Sequence, residues 1–463
     1  MILTKDRAFY KEFFSLYWLL VLQNVIIVAV NLVSNIMLGN YSSQATSGAA
    51  MAGVSTVGQI QFLVQNVIMG LGEALVVISS QYWGQRRTGP IVKFTGIAML
   101  GAVGFSLLMF AAVSISLEGS VALFTDNQEY IREGAKYLRI IRYSYPVFAV
   151  TTILLAMLRS VHTVRIAFWV SISTLVVNIA ANYALIFGRL GFPEMGVYGS
   201  AIGTLAARII EMLIVLIYVF KLDEKLHIRV SSFRGIDRLL LGDFAKVAVP
   251  ITLVALVWGA NTALQTLILG RMPGDAESTA IAANAIASNL MLVLKAASVG
   301  AAAAAMAVIG KAVGSGNLGK VREYTRTLQL IFSVIAVLTG VGLFLLRYLV
   351  PFIYKDLAPS TLAMTDSFLL VLCVTSTGMG YQMPTAAGII RGGGDARFCM
   401  ITDLTSIYAV VLPLSFLAAF VFHWPPVAVV ICLNCDQVFK ALPIAIKVNR
   451  YTWIRHLTRQ EAT

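Results

Sequence analysis

From Phe13 to Gly72 the chain runs for 60 residues without one Asp, Glu, Lys or Arg. Crossing a hydrocarbon core takes roughly 20 mostly apolar residues, so this run holds two crossings. In lipid the backbone must satisfy its own hydrogen bonds, which leaves only helices and closed barrels. The apolar stretches show no period-two alternation, which excludes a barrel. The same pattern extends to the end of the chain. Of its residues, 58% are hydrophobic and 12% charged, with a mean hydropathy of +0.82, whereas soluble domains carry about 25% charge. The fold class is therefore an all-α polytopic membrane protein. Charges and turn residues predict twelve spans, at about 13–39, 52–82, 92–117, 138–158, 166–188, 197–220, 247–270, 279–310, 327–349, 365–389, 400–422 and 427–447. The first apolar run is too long for the core of a cleavable signal, so none is expected.

A net charge of +13 raises the question of nucleic acid, and its distribution answers no. With the amino terminus placed in the cytoplasm, connections on that side hold 24 of the 35 basic residues and the opposite side holds eight. That is the positive-inside signature, and it puts both termini in the cytoplasm. The lipid bilayer is the expected surroundings, a bacterial inner membrane the expected location and a monomer the expected state. The four cysteines (Cys373, Cys399, Cys432, Cys435) lie in or beside spans, and the C-x-x-C at 432–435 lacks a second pair or a nearby His. Packing is their default role.

The chain repeats itself. Gly39 and Gly270 end the first and seventh spans. "YWGQRRTGPIVKFT" matches "AVGSGNLGKVREYT", pairing Gly84 with Gly314, and "LRSVHTVR" matches "IRGGGDAR", pairing Arg159 with Arg391. The offsets are 231, 230 and 232 residues. Six spans precede the repeat, so both halves insert the same way up. The expected organisation is an amino-terminal six-helix lobe at 1–225, a cytoplasmic linker at 226–246, and a carboxy-terminal lobe with a short tail at 247–463. Two pseudo-symmetric lobes around a V-shaped cavity are the architecture of a rocking transporter.

Polar side chains inside spans face the protein rather than lipid. Asn24, Asn31 and Asn35 share a face of span one, with Ser34 close by; Gln59, Asn66, Glu73 and Ser80 recur every seven residues in span two. Span five carries Ser171, Thr174, Asn178 and Asn182, span six Thr204, Arg208 and Glu211, span seven Trp258, Asn261 and Gln265, and span eight Asn284, Ser288 and Lys295. Interhelical hydrogen bonding accounts for many such residues without a ligand. Glu73 differs, because no base lies within one turn of it in sequence, and it is expected to be able to hold a proton. Arg208 with Glu211 and Asp436 with Lys440 have the spacing of structural ion pairs, and Asp403 is expected to pin the loop holding Arg391 and Arg397. Tyr143, Tyr145, Phe148, Trp258, Met291 and Tyr381 are candidates to line an apolar cavity. No cofactor, metal or catalytic constellation appears among the four histidines and their neighbours, so no enzyme is expected. "RGGGDAR" lacks the Lys-Ser/Thr of a phosphate loop, which leaves an ion gradient as the energy source.

"LRSVHTVR", "VVNIAANYALIFG", "GVYGSAIGTLAARIIE" and "IRGGGDARFCMITD", in this order, resemble the MATE (multidrug and toxic compound extrusion) transporters of the NorM/DinF type. The resemblance covers the whole chain. It implies export of amphipathic drugs, often organic cations, in exchange for Na⁺ or H⁺. The family's amino-lobe cation site falls on Ser34, Asn178, Asn182 and Thr204. Ser34 stands where the family has an acid, and Asn182 where one branch has Asp. The acid that many relatives carry after the opening Pro of span seven is also missing from "PITLVALVWGAN". Three readings stay open: coupling moved to Glu73 or Glu211, Na⁺ held by neutral oxygens, or a weakly coupled facilitator or lipid-linked precursor flippase. Candidate cavity residues are Asn31, Asn35, Tyr143, Trp258, Asn261, Gln265, Asn284, Lys295 and Tyr381.

Overall fold

The computed structural model describes residues 3–39, 44–189, 191–223, 225–226, 238–272, 277–353 and 358–459. Among these residues there are helices and their connections and no strand. The helices of the first part are α1 (Arg7–Gly39), α2 (Gln44–Gly84), α3 (Thr88–Ile115), the short α4 (Leu117–Ala122), α5 (Gln128–Ile141), α6 (Ser144–Ser160), α7 (Arg165–Ile186) and α8 (Gly196–Ile217). Then come α9 (Arg238–Leu269), α10 (Glu277–Gly314), α11 (Leu318–Leu346), α12 (Val350–Ile353), α13 (Pro359–Pro384), α14 (Ala396–Leu404), α15 (Leu412–Phe416), α16 (Pro426–Asn434), α17 (Asp436–Phe439) and α18 (Ala441–Arg450). Together they give eleven apolar helices long enough to cross a membrane, with α5 and α6 as a twelfth, broken span.

That broken span corrects the single helix expected at 138–158. α5 and α6 meet at 54°. Pro146 lies in the first turn of α6 and has no N–H to give the Arg142 carbonyl four residues back, so the chain kinks there. Arg142 fills the corner: its Nη1 donates to Ser114 Oγ at 2.8 Å, and its guanidinium lies 5.3 Å from the Phe110 ring.

Contacts divide the chain into two compact units, one of Leu22–Ser79 and Arg86–Thr252, the other of Met1–Val21, Ser80–Gln85 and Leu253–Thr463. Of the expected linker, residues 227–237 lie outside the described residues, and 238–246 form the first turns of α9.

In the first unit, Val57, Ile60, Val113, Leu138, Ile141, Ile186, Val197 and Ala201 share one core. α7 and α8 touch along their backbones. A Cβ on Gly199 would lie 2.6 Å from the Leu185 carbonyl, and one on Gly203 would fall on Asn182 Oδ1. The G-x-x-x-G spacing of Gly199 and Gly203 is what permits this approach, because helices in lipid associate by close packing of small residues.

In the second unit, Leu269, Ala283, Ala287, Leu343, Phe368, Leu369, Ala419 and Val429 form the core. π-helical turns interrupt its later spans at Thr385–Ile390, Thr405–Val411 and Leu417–Val421. The last turn of α2 packs here against α10. Gly84 lies against the Lys311 carbonyl and Gly314 against the Gln81 carbonyl. These two glycines, paired by the internal repeat, thus serve one helix crossing. The tail covers it: the Leu457 N–H donates to Gln81 Oε1 at 2.8 Å, and the Arg459 N–H to the Tyr82 hydroxyl at 3.1 Å.

Candidate functional site

Four of the expected cation-coupling residues form one hydrogen-bonded network within the first unit. Ser34 Oγ donates to Asn178 Oδ1 at 2.9 Å. Asn182 Nδ2 donates both to Ser34 Oγ at 3.1 Å and to Asn178 Oδ1 at 3.1 Å. Asn178 Nδ2 donates to Thr204 Oγ1 at 3.3 Å. Asn178 and Asn182 are one turn apart on α7, and Thr204 meets them from α8 because Gly203 beside it lets the backbones close. Both asparagines are buried. One buried polar atom is left over: Asn182 Oδ1 has no hydrogen-bond partner. An amide that spends both its protons and none of its acceptor lone pairs keeps an oxygen ready for a cation or a donor. Such buried unsatisfied groups are rare in folded proteins.

The rest of the span-five stripe does not join. Ser171 and Thr174 donate back to the Ala167 and Val170 carbonyls at 3.0 and 2.9 Å, as hydroxyls inside helices commonly do. Tyr137 lies close by: it is buried and within the electrostatic reach of Thr204 and Arg208. It lies just before the predicted start of span four, so the boundary error hid it. The upstream extension of α5 beyond that boundary was the missing signal.

The acids are less solitary than their sequence neighbourhoods imply. Glu211 pairs with Arg208 at 3.0 Å, as its spacing predicts, and Arg208 also lies 4.9 Å from the Phe148 ring. Glu73 acts on the charge of Arg159, which α6 brings in from another helix. Glu73 is therefore not isolated in three dimensions. Nor does Asp403 pin the Arg391–Arg397 loop. It pairs with Lys440 at 2.9 Å, and Asp436 grips the same ammonium at 2.9 Å. Gln437 Nε2 donates to Asp436 Oδ2 at 2.9 Å, and its Oε1 accepts from Gln382 Nε2 at 3.1 Å. The loop is held instead by Asp395, which takes Lys447 at 2.9 Å and Arg455 at 3.1 Å.

Of the cavity candidates, the side chains of Asn31 and Asn35 lie outside the described residues. Tyr143, in the first unit, is half exposed beside Arg142. In the second unit Lys295 Nζ sits 3.5 Å from the centre of the Trp258 ring, which joins the polar stripes of α9 and α10. Asn261 is buried and its Oδ1 has no hydrogen-bond partner. Gln265 donates to the Leu433 carbonyl at 3.3 Å, and Asn284 is partly buried further along the α10 stripe. Tyr381 is engaged elsewhere, donating to Gln329 Oε1 at 2.9 Å. No group of three or more His, Cys, Asp or Glu with the geometry of a metal site exists among the described residues.

The MatE family model matches residues 20–184 and 250–417, one copy in each half. The chain belongs to the MATE family. This MATE protein is 26% identical over 417 residues to "Probable multidrug resistance protein NorM" of Xylella fastidiosa (strain Temecula1 / ATCC 700964), covering 88% of this chain and 84% of that one. The eukaryotic MATE transporter AtDTX14 has the same fold, with a TM-score of 0.81 at 18% identity over 96% of both chains. So does a multidrug resistance MATE transporter solved in an outward-facing conformation, with a TM-score of 0.80 at 17% identity over 97% of this chain and 99% of that one. The family's members are transporters, and this chain is a multi-pass membrane transporter rather than an enzyme.

Proposed function

We propose that this MATE protein exports small amphipathic compounds, organic cations among them, from the bacterial cytoplasm in exchange for Na⁺ or H⁺. The observation that carries the coupling reading is the Ser34–Asn178–Asn182–Thr204 network with its unpartnered Asn182 oxygen. Hydroxyl and amide oxygens suit a hard monovalent cation. None of the four side chains exchanges a proton near neutral pH, so among these groups Na⁺ is the ion the network favours. Proton drive would pass instead through Glu73 or through Glu211, which pairs with Arg208. A fully neutral network also fits a weakly coupled facilitator, and one experiment separates the three.

The experiment is efflux of a fluorescent organic cation from proteoliposomes with Na⁺ and H⁺ gradients imposed separately. Drive by an inward Na⁺ gradient alone, lost in Asn182→Leu, is the expected result. Drive by H⁺ alone moves the coupling to Glu73 or Glu211. Equal rates under both gradients and under none make the protein a facilitator.

A second expected outcome tests the missing acid directly. Ser34→Asp places a carboxylate between Asn178 and Asn182, where it can hold a cation more tightly or carry a proton. Export by this variant should gain dependence on the H⁺ gradient that the parent lacks. A variant that folds, transports and shows no change in ion dependence would remove the network from the coupling path.

A further inference from the structure

Lys295 stands out among the intramembrane charges. Arg208 has Glu211, Lys440 has two aspartates and Arg347 has Asp366 at 2.8 Å. Lys295 has the face of Trp258 and, among the described residues, no carboxylate within ion-pair distance. A cation inside a membrane ordinarily pairs with an acid or lines a watery cavity. An aromatic face attracts an ammonium but accepts none of its three hydrogen bonds.

Among the described residues no hydrogen bond uses the Lys295 ammonium, so its three donors remain for a ligand. The site is also open: Trp258 is 40% exposed. Ser288, about two turns from Lys295 on the same α10 stripe, is exposed as well, and Asn284 continues that stripe within about 40° on the helical wheel. On α9, Asn261 lies one turn beyond Trp258 with a buried acceptor that has no donor.

We propose that this part of the second unit is a recognition site for an anionic group, a carboxylate, sulfonate or phosphate, carried by the exported compound. Lys295 neutralises the anion, Trp258 stacks on the adjoining ring or chain, and Asn261 accepts from a donor on the same molecule. The inference rests on the export reading above and narrows its substrate class: zwitterionic and anionic amphiphiles belong to the cargo alongside cations. A compound without the anion keeps the apolar contact and loses only the charge-assisted hydrogen bonds.

The test uses a matched pair of dyes, tetramethylrhodamine with its carboxylate free and its methyl ester. Binding to the full-length protein in phospholipid-free detergent is read by fluorescence anisotropy, and export is read in proteoliposomes. Lys295→Gln should weaken binding and export of the free carboxylate by about tenfold or more, the loss of hydrogen bonds to a charged group. The methyl ester should change less than twofold in the same preparation, which shows that the variant is folded. Lys295→Arg should restore most of the carboxylate's binding. Equal loss for both dyes, no loss for either, or a parent protein that binds neither overturns the site. A lipid headgroup offers the same anion. If added phosphatidylglycerol competes with neither dye and the carboxylate effect persists, the site serves cargo; a Lys295 dependence confined to phosphatidylglycerol binding overturns the assignment. A parent protein that binds the carboxylate through Lys295 yet exports neither dye sinks the export reading and leaves the site standing. Export of the ester alone, with no binding of the carboxylate, does the reverse.

Discussion

Lys440→Met is expected to be the most destabilising single change in the second unit, by about 3–5 kcal/mol. The ammonium is buried and sits 2.9 Å from both Asp403 and Asp436. Its removal leaves two carboxylates facing each other with only Gln437 to donate. The loss comes from stranding charge, and the ion pairs themselves add little net stability. That account makes a stronger claim than destabilisation alone. The triple variant Lys440→Met, Asp403→Asn, Asp436→Asn should recover most of the loss, because no buried charge remains unmatched. The measurement is the half-life of monodisperse protein in detergent at a fixed raised temperature, which suits a membrane protein that unfolds irreversibly. A triple variant as short-lived as Lys440→Met would show that packing, and not charge, sets the stability there.

Gly203→Leu should abolish transport while leaving insertion intact. Even a Cβ at this position falls on Asn182 Oδ1, and the Asn182 backbone nitrogen lies 3.2 Å away. Overpacking of this kind costs about 1–3 kcal/mol. The relief available is to turn the Asn182 amide or to part α7 from α8, and either breaks the bonds to Ser34 and Asn178. Gly203→Ala should show a weaker form of the same defect. Gly104→Ala is the matched control, since nothing lies within 4 Å of a Cβ there; it should transport at the parent rate. Export rates and surface expression, measured side by side, check the pair. Normal transport by Gly203→Leu would mean that the network can open without consequence.

Much of the Ser34–Asn178–Asn182–Thr204 network was legible in the sequence. Ser34, Asn178, Asn182 and Thr204 follow from helical periodicity together with a family pattern. What escaped was anything whose partner sits on a helix distant in sequence. Tyr137 was hidden by a boundary placed at 138, whereas α5 begins at Gln128. Arg159, which lies within electrostatic reach of Glu73, looked like an ordinary loop-end cation. Asp403 was assigned to the nearest bases along the chain, and Lys440, 37 residues on, took it instead.

The division has a physical cause. Lipid offers the backbone no hydrogen bonds, so each apolar run must be a helix, and charge placement orients it. Those are local demands, and the sequence by itself therefore determined the number of spans, their approximate limits and the internal repeat. Pairing between side chains depends on which faces meet and how closely. Here that was decided by glycines that let backbones touch, at Gly199 and Gly203 between α7 and α8 and at Gly84 and Gly314 between α2 and α10, and by the Pro146 kink that turns α5 from α6. Only the tertiary structure could therefore bring Arg159 within electrostatic reach of Glu73, join two acids to Lys440, and leave Lys295 facing an indole ring.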